Sequence, residues 1–211
     1  SGSGKTETLK RIGKEIAEHA IPVIVLDFHG DVSFPGVNTV LLSSGSFSTI
    51  GINPLELDCH DDGFVGLYEQ RAIFLEMLQR VVRLGHKQKS VLNEVIHECY
   101  REFGIHDEYP ETWGNTPPTL TNVLSMLHHR ASDKGVLAND RNVITGCISA
   151  VRSVLGHPIF QRRNYVSTDD ILRGNLRIDL SKINSEGVRH IVAETLLWKI
   201  FRVLKLQGKI P

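Results

Sequence analysis

Cysteine is scarce in this sequence. Three residues, Cys59, Cys99 and Cys147, stand far apart among 211 with no Cys-x-x-Cys pair. Neither a disulfide framework nor a zinc site is indicated, and a reducing cytoplasmic setting fits best. Long apolar runs are missing as well: no stretch approaches the roughly 20 residues that a bilayer span needs. No basic segment leading into an apolar stretch and a cleavage site opens the chain, so a secretory leader is not expected. Net charge is absent too, with 24 Lys and Arg against 24 Asp and Glu. That excludes nucleic-acid binding of the uniformly basic kind, though not a local basic patch. Glycine and proline, at 18 and 8 residues, are ordinary in amount, and the apolar share is 41%, which excludes collagen-like and disordered chains. What is left is enough chain to bury a core as one domain, or as a core domain with a smaller satellite.

The opening hexapeptide Ser1-Gly2-Ser3-Gly4-Lys5-Thr6 carries the strongest chemical signal. Gly4-Lys5-Thr6 supplies the last three positions of the phosphate-loop pattern G-x-x-x-x-G-K-[ST], whose first Gly would fall two residues before Ser1. Small residues allow backbone N–H groups to close around phosphates, and a helix that starts there points its positive end at them. Lys5 then reaches the β- and γ-phosphates, and the Thr6 hydroxyl binds Mg²⁺. A Gly-Ser linker would read much the same, but the context favours the loop. Leu9, Ile12 and Ile16 recur at helical spacing over residues 8–19, Pro22 breaks the pattern, and residues 23–27 read as a fully buried parallel strand. Loop, helix and buried strand form the order of a βαβ nucleotide-binding unit.

That strand ends in Asp27 and continues as Phe28-His29-Gly30-Asp31. The stretch resembles the "strand, Asp, Pro, His, Gly, Glu/Asp" signature of the HerA/FtsK-like translocase ATPases and the related conjugation and type IV secretion ATPases, with Phe28 standing where Pro is usual. Residues 51–57, which include Asn53-Pro54, resemble the Asn-Pro segment of the same superfamily. Residues 175–181 and the helical stretch 186–206 resemble its strand and helix ahead of the Walker B strand. The resemblance implies an α/β, RecA-like P-loop core with a mostly parallel sheet. In it Lys5 and Asp27 would serve catalysis, and Thr6 and Asp27 would hold Mg²⁺. Ser1, Gly2, Ser3, Gly4, Lys5, Thr6 and Glu7 would contact ATP. It further implies a cytoplasmic homo-oligomer, usually a hexameric ring, acting on double-stranded DNA, with a nuclease as partner. The Walker B acids, sensor and arginine finger of the family have no counterpart in these residues, so the isolated chain is expected not to hydrolyse ATP efficiently. A turn residue that hydrogen-bonds backbone is the plainer reading of His29.

Between residues 66 and 160 the pattern is helical throughout, and it reads as an inserted all-helical subdomain between core segments 1–65 and 161–211. Ala72 to Val82, Leu92 to Phe103, Leu120 to Leu127 and Val143 to Leu155 each keep one apolar face. Thr119 and Asp140 open the last two, and Gly156 with Pro158 stops the final one. Cys99 and Cys147 fall on apolar faces and read as packing residues. His128 and His129 sit at a helix end, where a cation suits the dipole. The run Asp58-Cys59-His60-Asp61-Asp62 is too tight to wrap one ion. Arg162 and Arg163 precede a capping run at residues 167–170, and with Lys134, Arg141 and Arg152 they are expected to be solvated or to make contacts within the helical subdomain; DNA contact is the lesser alternative, since no aromatics are interleaved. A rival of another class is a P-loop kinase or phosphotransferase in which Asp27 is the functional acid and Arg162-Arg163 form a lid.

Overall fold

The computed structural model describes residues 4–42, 50–57, 66–162, 164–165 and 175–206. Helix α1 (Lys5–Glu18) leads into strand β1 (Ile24–Asp27). Next come strands β2 (Asn38–Leu41) and β3 (Ile50–Gly51), then helices α2 (Leu67–Val81), α3 (His86–Glu102), α4 (Leu120–Ser132) and α5 (Ala138–Leu155). Strands β4 (Asn164–Tyr165) and β5 (Leu176–Asp179) precede the long helix α6 (Glu186–Leu206). Short 3₁₀ turns at Pro110–Gly114 and Pro158–Phe160 join the helices to their neighbours.

The main sheet has the order β1-β5-β2, with both pairings parallel. Its register aligns Asp27 with Asp179 and Leu41 with Asp179, so all three strands end at one edge, where parallel α/β sheets place their ligands. β3 and β4 form a second parallel pair. The strand expected to be fully buried is only half-buried until Asp27. The reason is position: among the described residues β1 is an edge strand paired on one flank only. The apolar stripe of α1 is likewise less covered than its spacing implies, since Leu9 and Ile12 are exposed. α1 seats instead through Gly13, where a Cβ would lie 2.8 Å from the Phe34 ring.

The four helices between 66 and 155 do not keep a core of their own. Their buried side chains, among them Phe74, Leu92, Val95, Tyr100, Val123 and Cys147, belong to one connected apolar cluster with Ile178 of β5 and Ile191 of α6. Asn53 and Pro54 make the polar side of that junction. Asn53 Nδ2 donates to the Pro118 carbonyl, and its Oδ1 accepts from Leu55 N–H. Gln70 of α2 donates to the Pro54 carbonyl at 2.7 Å, and Tyr100 of α3 donates to the Leu55 carbonyl at 2.6 Å. Lys199 of α6 pairs with Glu56 at 3.1 Å, and Arg202 reaches Gln70. A buried polar group without a partner costs about 1–3 kcal/mol, so this set of bonds fixes where the helices sit on the sheet.

Candidate nucleotide site

Helix α1 begins at Gly4, whose φ of 67° is left-handed and whose missing side chain leaves the first turn without a side-chain cap. Among the described residues nothing lies within 4 Å of where a Cβ would stand. An uncapped helix start in open space offers its N–H groups and positive dipole end to an anion. Lys5 and Thr6 occupy the first two helical positions, with Lys5 exposed. The Thr6 hydroxyl donates to Asp31 Oδ2 at 3.2 Å, which brings the start of α1 against the loop that follows β1. Glu7 faces outward and pairs with Lys10 at 2.8 Å. Glu7, with Asp31 and Asp27 further off, holds the Lys10 ammonium above the ordinary lysine range. Ser1, Gly2 and Ser3 lie outside the described residues.

Asp27 is 2% exposed and organises the loop that follows β1. Its Oδ1 accepts from the N–H groups of His29 and Gly30 at 3.1 and 2.9 Å. Its Oδ2 accepts from Val32 N–H at 2.9 Å and from Arg177 Nε at 2.8 Å. A carboxylate offers about four lone-pair directions, and here each is met. Burial would raise the Asp27 pKa, but the Val32 and Gly30 N–H groups, the Arg177 guanidinium and the His29 N–H outweigh it and hold the carboxyl below its usual range. His29 joins this turn through its backbone, and its side chain is exposed.

Arg177 has no role readable from the sequence. It stands in β5 beside β1, donates Nε to Asp27 and donates a terminal nitrogen to Asp179 Oδ2 at 3.0 Å. One guanidinium thus bridges the two acids that close neighbouring strands. Asp179 also accepts from Ser181 N–H at 2.9 Å. Gly30, at φ 80°, lets the two loops touch, because a Cβ there would come 2.7 Å from Ser181 Oγ. Arg189 of α6 spans the same region, donating to the carbonyls of Ile183 and Phe28. The available signal was an arginine inside a short apolar strand, since a half-buried Arg requires an acidic partner.

The remaining candidates lie elsewhere. Arg162 donates to the Ile50 carbonyl, Arg141 to the carbonyls of Asp133 and Val136, and Arg152 contacts His128. These arginines stitch loops and helices together. Cys99 and Cys147 are buried as packing residues. Arg163, Cys59 with its neighbours at 58–62, and the capping run at 167–170 lie outside the described residues. No helix among the described residues is long and apolar enough to cross a membrane.

A parallel sheet whose strands end beside a helix start bearing Gly-Lys-Thr defines an α/β P-loop NTPase with a RecA-like core. Residues 1–200 match the family described as "Helicase HerA, central domain", and the chain belongs to that family. Among solved structures it is similar to VirB4 of Thermoanaerobacter pseudethanolicus, with a TM-score of 0.70 and 16% identity over 95% of this chain and 75% of that one. At that identity the likeness bears on the fold. No curated protein matches the chain.

Proposed function

We infer that this chain is the ATP-binding core of a HerA-like motor that works as a ring on double-stranded DNA. The observation that carries the reading is the meeting of an open, uncapped α1 start with a carboxylate-bearing loop at the C-terminal edge of the sheet, joined by the Thr6–Asp31 bond. The residues suit a magnesium nucleotide. Gly4 carries no side chain at the helix start, Lys5 is exposed beside it, and hydroxyl and carboxylate oxygens are the donors that Mg²⁺ prefers. Lys5 holds and neutralises the terminal phosphates, and the first-turn N–H groups orient them. Mg²⁺, when bound, neutralises charge on the β- and γ-oxygens. Asp27 keeps the loop in the shape that presents Asp31 to Thr6. A nuclease partner and a cytoplasmic site of action belong to the same reading.

The likeness to VirB4 favours a second reading, a conjugation or type IV secretion ATPase built on the same core. DNA separates the two. In the full-length parent protein, Lys5→Ala is expected to weaken ATP binding about tenfold or more, the loss of one charge-assisted contact of 1.5–3 kcal/mol, and to abolish DNA-stimulated hydrolysis. Hydrolysis indifferent to duplex DNA would sink the DNA-translocase reading. Undiminished ATP affinity in the variant would sink the nucleotide site itself.

A further inference from the structure

The chain is neutral as a whole, but its charge is unevenly spread along the helical block. Residues 66–111 hold eight Asp and Glu against six Lys and Arg, whereas residues 112–162 hold two against five. Those two acids, Asp133 and Asp140, stand at the α4–α5 turn and in the first turn of α5. Arg130 is taken up by Glu94 and Glu98 of α3. Away from that turn, the outer face of α4 and α5 carries no carboxylate. On α4 the exposed residues Thr121, Ser125 and His128 recur at i, i+4 and i+7. On α5 the exposed residues Arg141, Thr145, Ser149 and Arg152 recur at i, i+4, i+8 and i+11, so each set shares one side of its helix. Arg152 joins the two sets through His128 Nε2 at 2.9 Å. Thr121 also borders a groove of about 560 Å³, with Thr116, Thr119, Asn122, Gln161 and Arg162 around it and no acid in its lining.

We propose that this face of α4 and α5, with the groove at its end, is a docking track for the phosphate backbone of duplex DNA. The proposal rests on the DNA-motor reading above. Phosphate contacts come from arginine, hydroxyl and amide side chains and fix position without reading sequence, and those are the side chains gathered here. A guanidinium carries five N–H donors, so Arg152 can hold a phosphate oxygen while it contacts His128, and Arg141 can do so while it holds the carbonyls of Asp133 and Val136. Thr145 and Ser149 donate to the carbonyls of Arg141 and Thr145, one turn back. They keep the path between the two arginines short in side chain and uncharged, which lets a backbone approach. From Arg141 to Arg152 the track is about 16 Å long at 1.5 Å per residue, the length of roughly five base pairs at 3.4 Å each. Among the described residues the exposed aromatic rings of Tyr68, Tyr109, Trp198 and Phe201 lie on other segments. The face therefore offers no stacking platform of the kind that holds single strands, and a duplex held by its backbone is the polyanion it matches.

The test uses the full-length parent protein and a short fluorescein-labelled duplex, followed by fluorescence anisotropy between about 50 and 200 mM salt. Unlabelled single strands and polyglutamate are the competitors. Arg152→Gln is expected to reduce the slope of log affinity against log salt by about 0.9, the loss of one phosphate contact, so the affinity lost over this range shrinks about 3.5-fold. Ser125→Glu, which adds an acid to the exposed face of α4, should weaken binding several-fold at low salt. Both effects should be the same for duplexes of unrelated sequence. Arg83→Gln, in the exposed segment after α2, should change neither slope nor affinity. An equal loss of slope in Arg83→Gln and Arg152→Gln would overturn the proposal, because the attraction would then be diffuse. Competition by single strands or polyglutamate as strong as by duplex would overturn it too, the first pointing to another nucleic acid and the second to an acidic protein. If the wild type binds no duplex at low salt, the DNA-motor reading itself fails. If it binds duplex and both face variants bind equally well, only the track fails.

Discussion

Replacing Arg177 by Met keeps most of the side chain's volume and removes the charge that separates two acids. In the native chain the guanidinium lies 2.8 Å from Asp27 and 3.0 Å from Asp179, with Arg177 and Asp179 each 11% exposed at the side chain and Asp27 2%. Breaking a buried pair by removing one partner costs about 3–5 kcal/mol, because the remaining charge stays buried. Here two charges remain, facing each other across paired positions of β1 and β5. At pH 7 the variant should lose about that much stability, which lowers the urea midpoint by roughly 1–2 M for a slope of about 2–3 kcal/mol/M. The pH dependence makes the prediction specific. In the wild type Asp27 titrates below its unfolded value, so its contribution is complete above that value and declines only as the pH falls through the depressed native one. In the variant Asp27 keeps the burial that raises its pKa and loses the guanidinium that lowers it, so the folded variant, compared with the wild type, holds the Asp27 proton to higher pH. Its deficit should therefore shrink on going from pH 7 to pH 5, by up to about 1.4 kcal/mol for each pH unit over which that proton is held. Urea unfolding followed by Trp113 and Trp198 fluorescence at both pH values measures this. A deficit of the same size at pH 5 and pH 7 would refute the like-charge reasoning and leave only lost packing.

Two smaller tests probe the same architecture. Gly30→Ala forces a side chain onto a backbone at φ 80° and into Ser181 Oγ, so it should cost about 1–3 kcal/mol. Adding Ser181→Gly should return only the contact part of that loss, and full recovery would show that the backbone angle is not restrictive. Burial pushes the thiol of Cys99 up to about 12, with help from Glu102 and Glu98, and that of Cys147 up to about 11. In a Cys59→Ser background neither thiol should react with a disulfide reagent at pH 7.5 until the protein is unfolded, since the thiolate is the attacking form. Rapid reaction of the folded protein would contradict the packing described for α3 and α5.

Local pattern carried the helices well. The cap at Thr119, the stop at Gly156 and the bounds of α6 follow from residues within a few positions of the element they define. The strand 175–181 was legible as an element, but the purpose of its arginine was not. Arg177 is explained only by its alignment with a residue 150 positions earlier, and strand register between distant segments is set by the whole sheet. α1 misled in the opposite way: Leu9 and Ile12 have the spacing of a buried stripe, yet the contact that seats the helix is made by Gly13, a residue with no hydropathy to notice. At the site, Gly4-Lys5-Thr6 was legible as a motif, and the structure puts it at the start of α1. That Asp27, and not Asp31, is the acid engaged by backbone N–H groups was not legible, because it depends on how the loop turns.

The Asn53-Pro54 junction sets how the protein can change shape. It is tied to α2 by Gln70, to α3 by Tyr100, to the loop before α4 by Pro118 and to α6 by Lys199. Displacing any one of these four disturbs a bond made at the same short segment, so the helical block and the long C-terminal helix are coupled through it. The 28–32 and 181–185 loops are tied to that helix through Arg189, which joins the sheet edge bearing Asp27 to the same coupling.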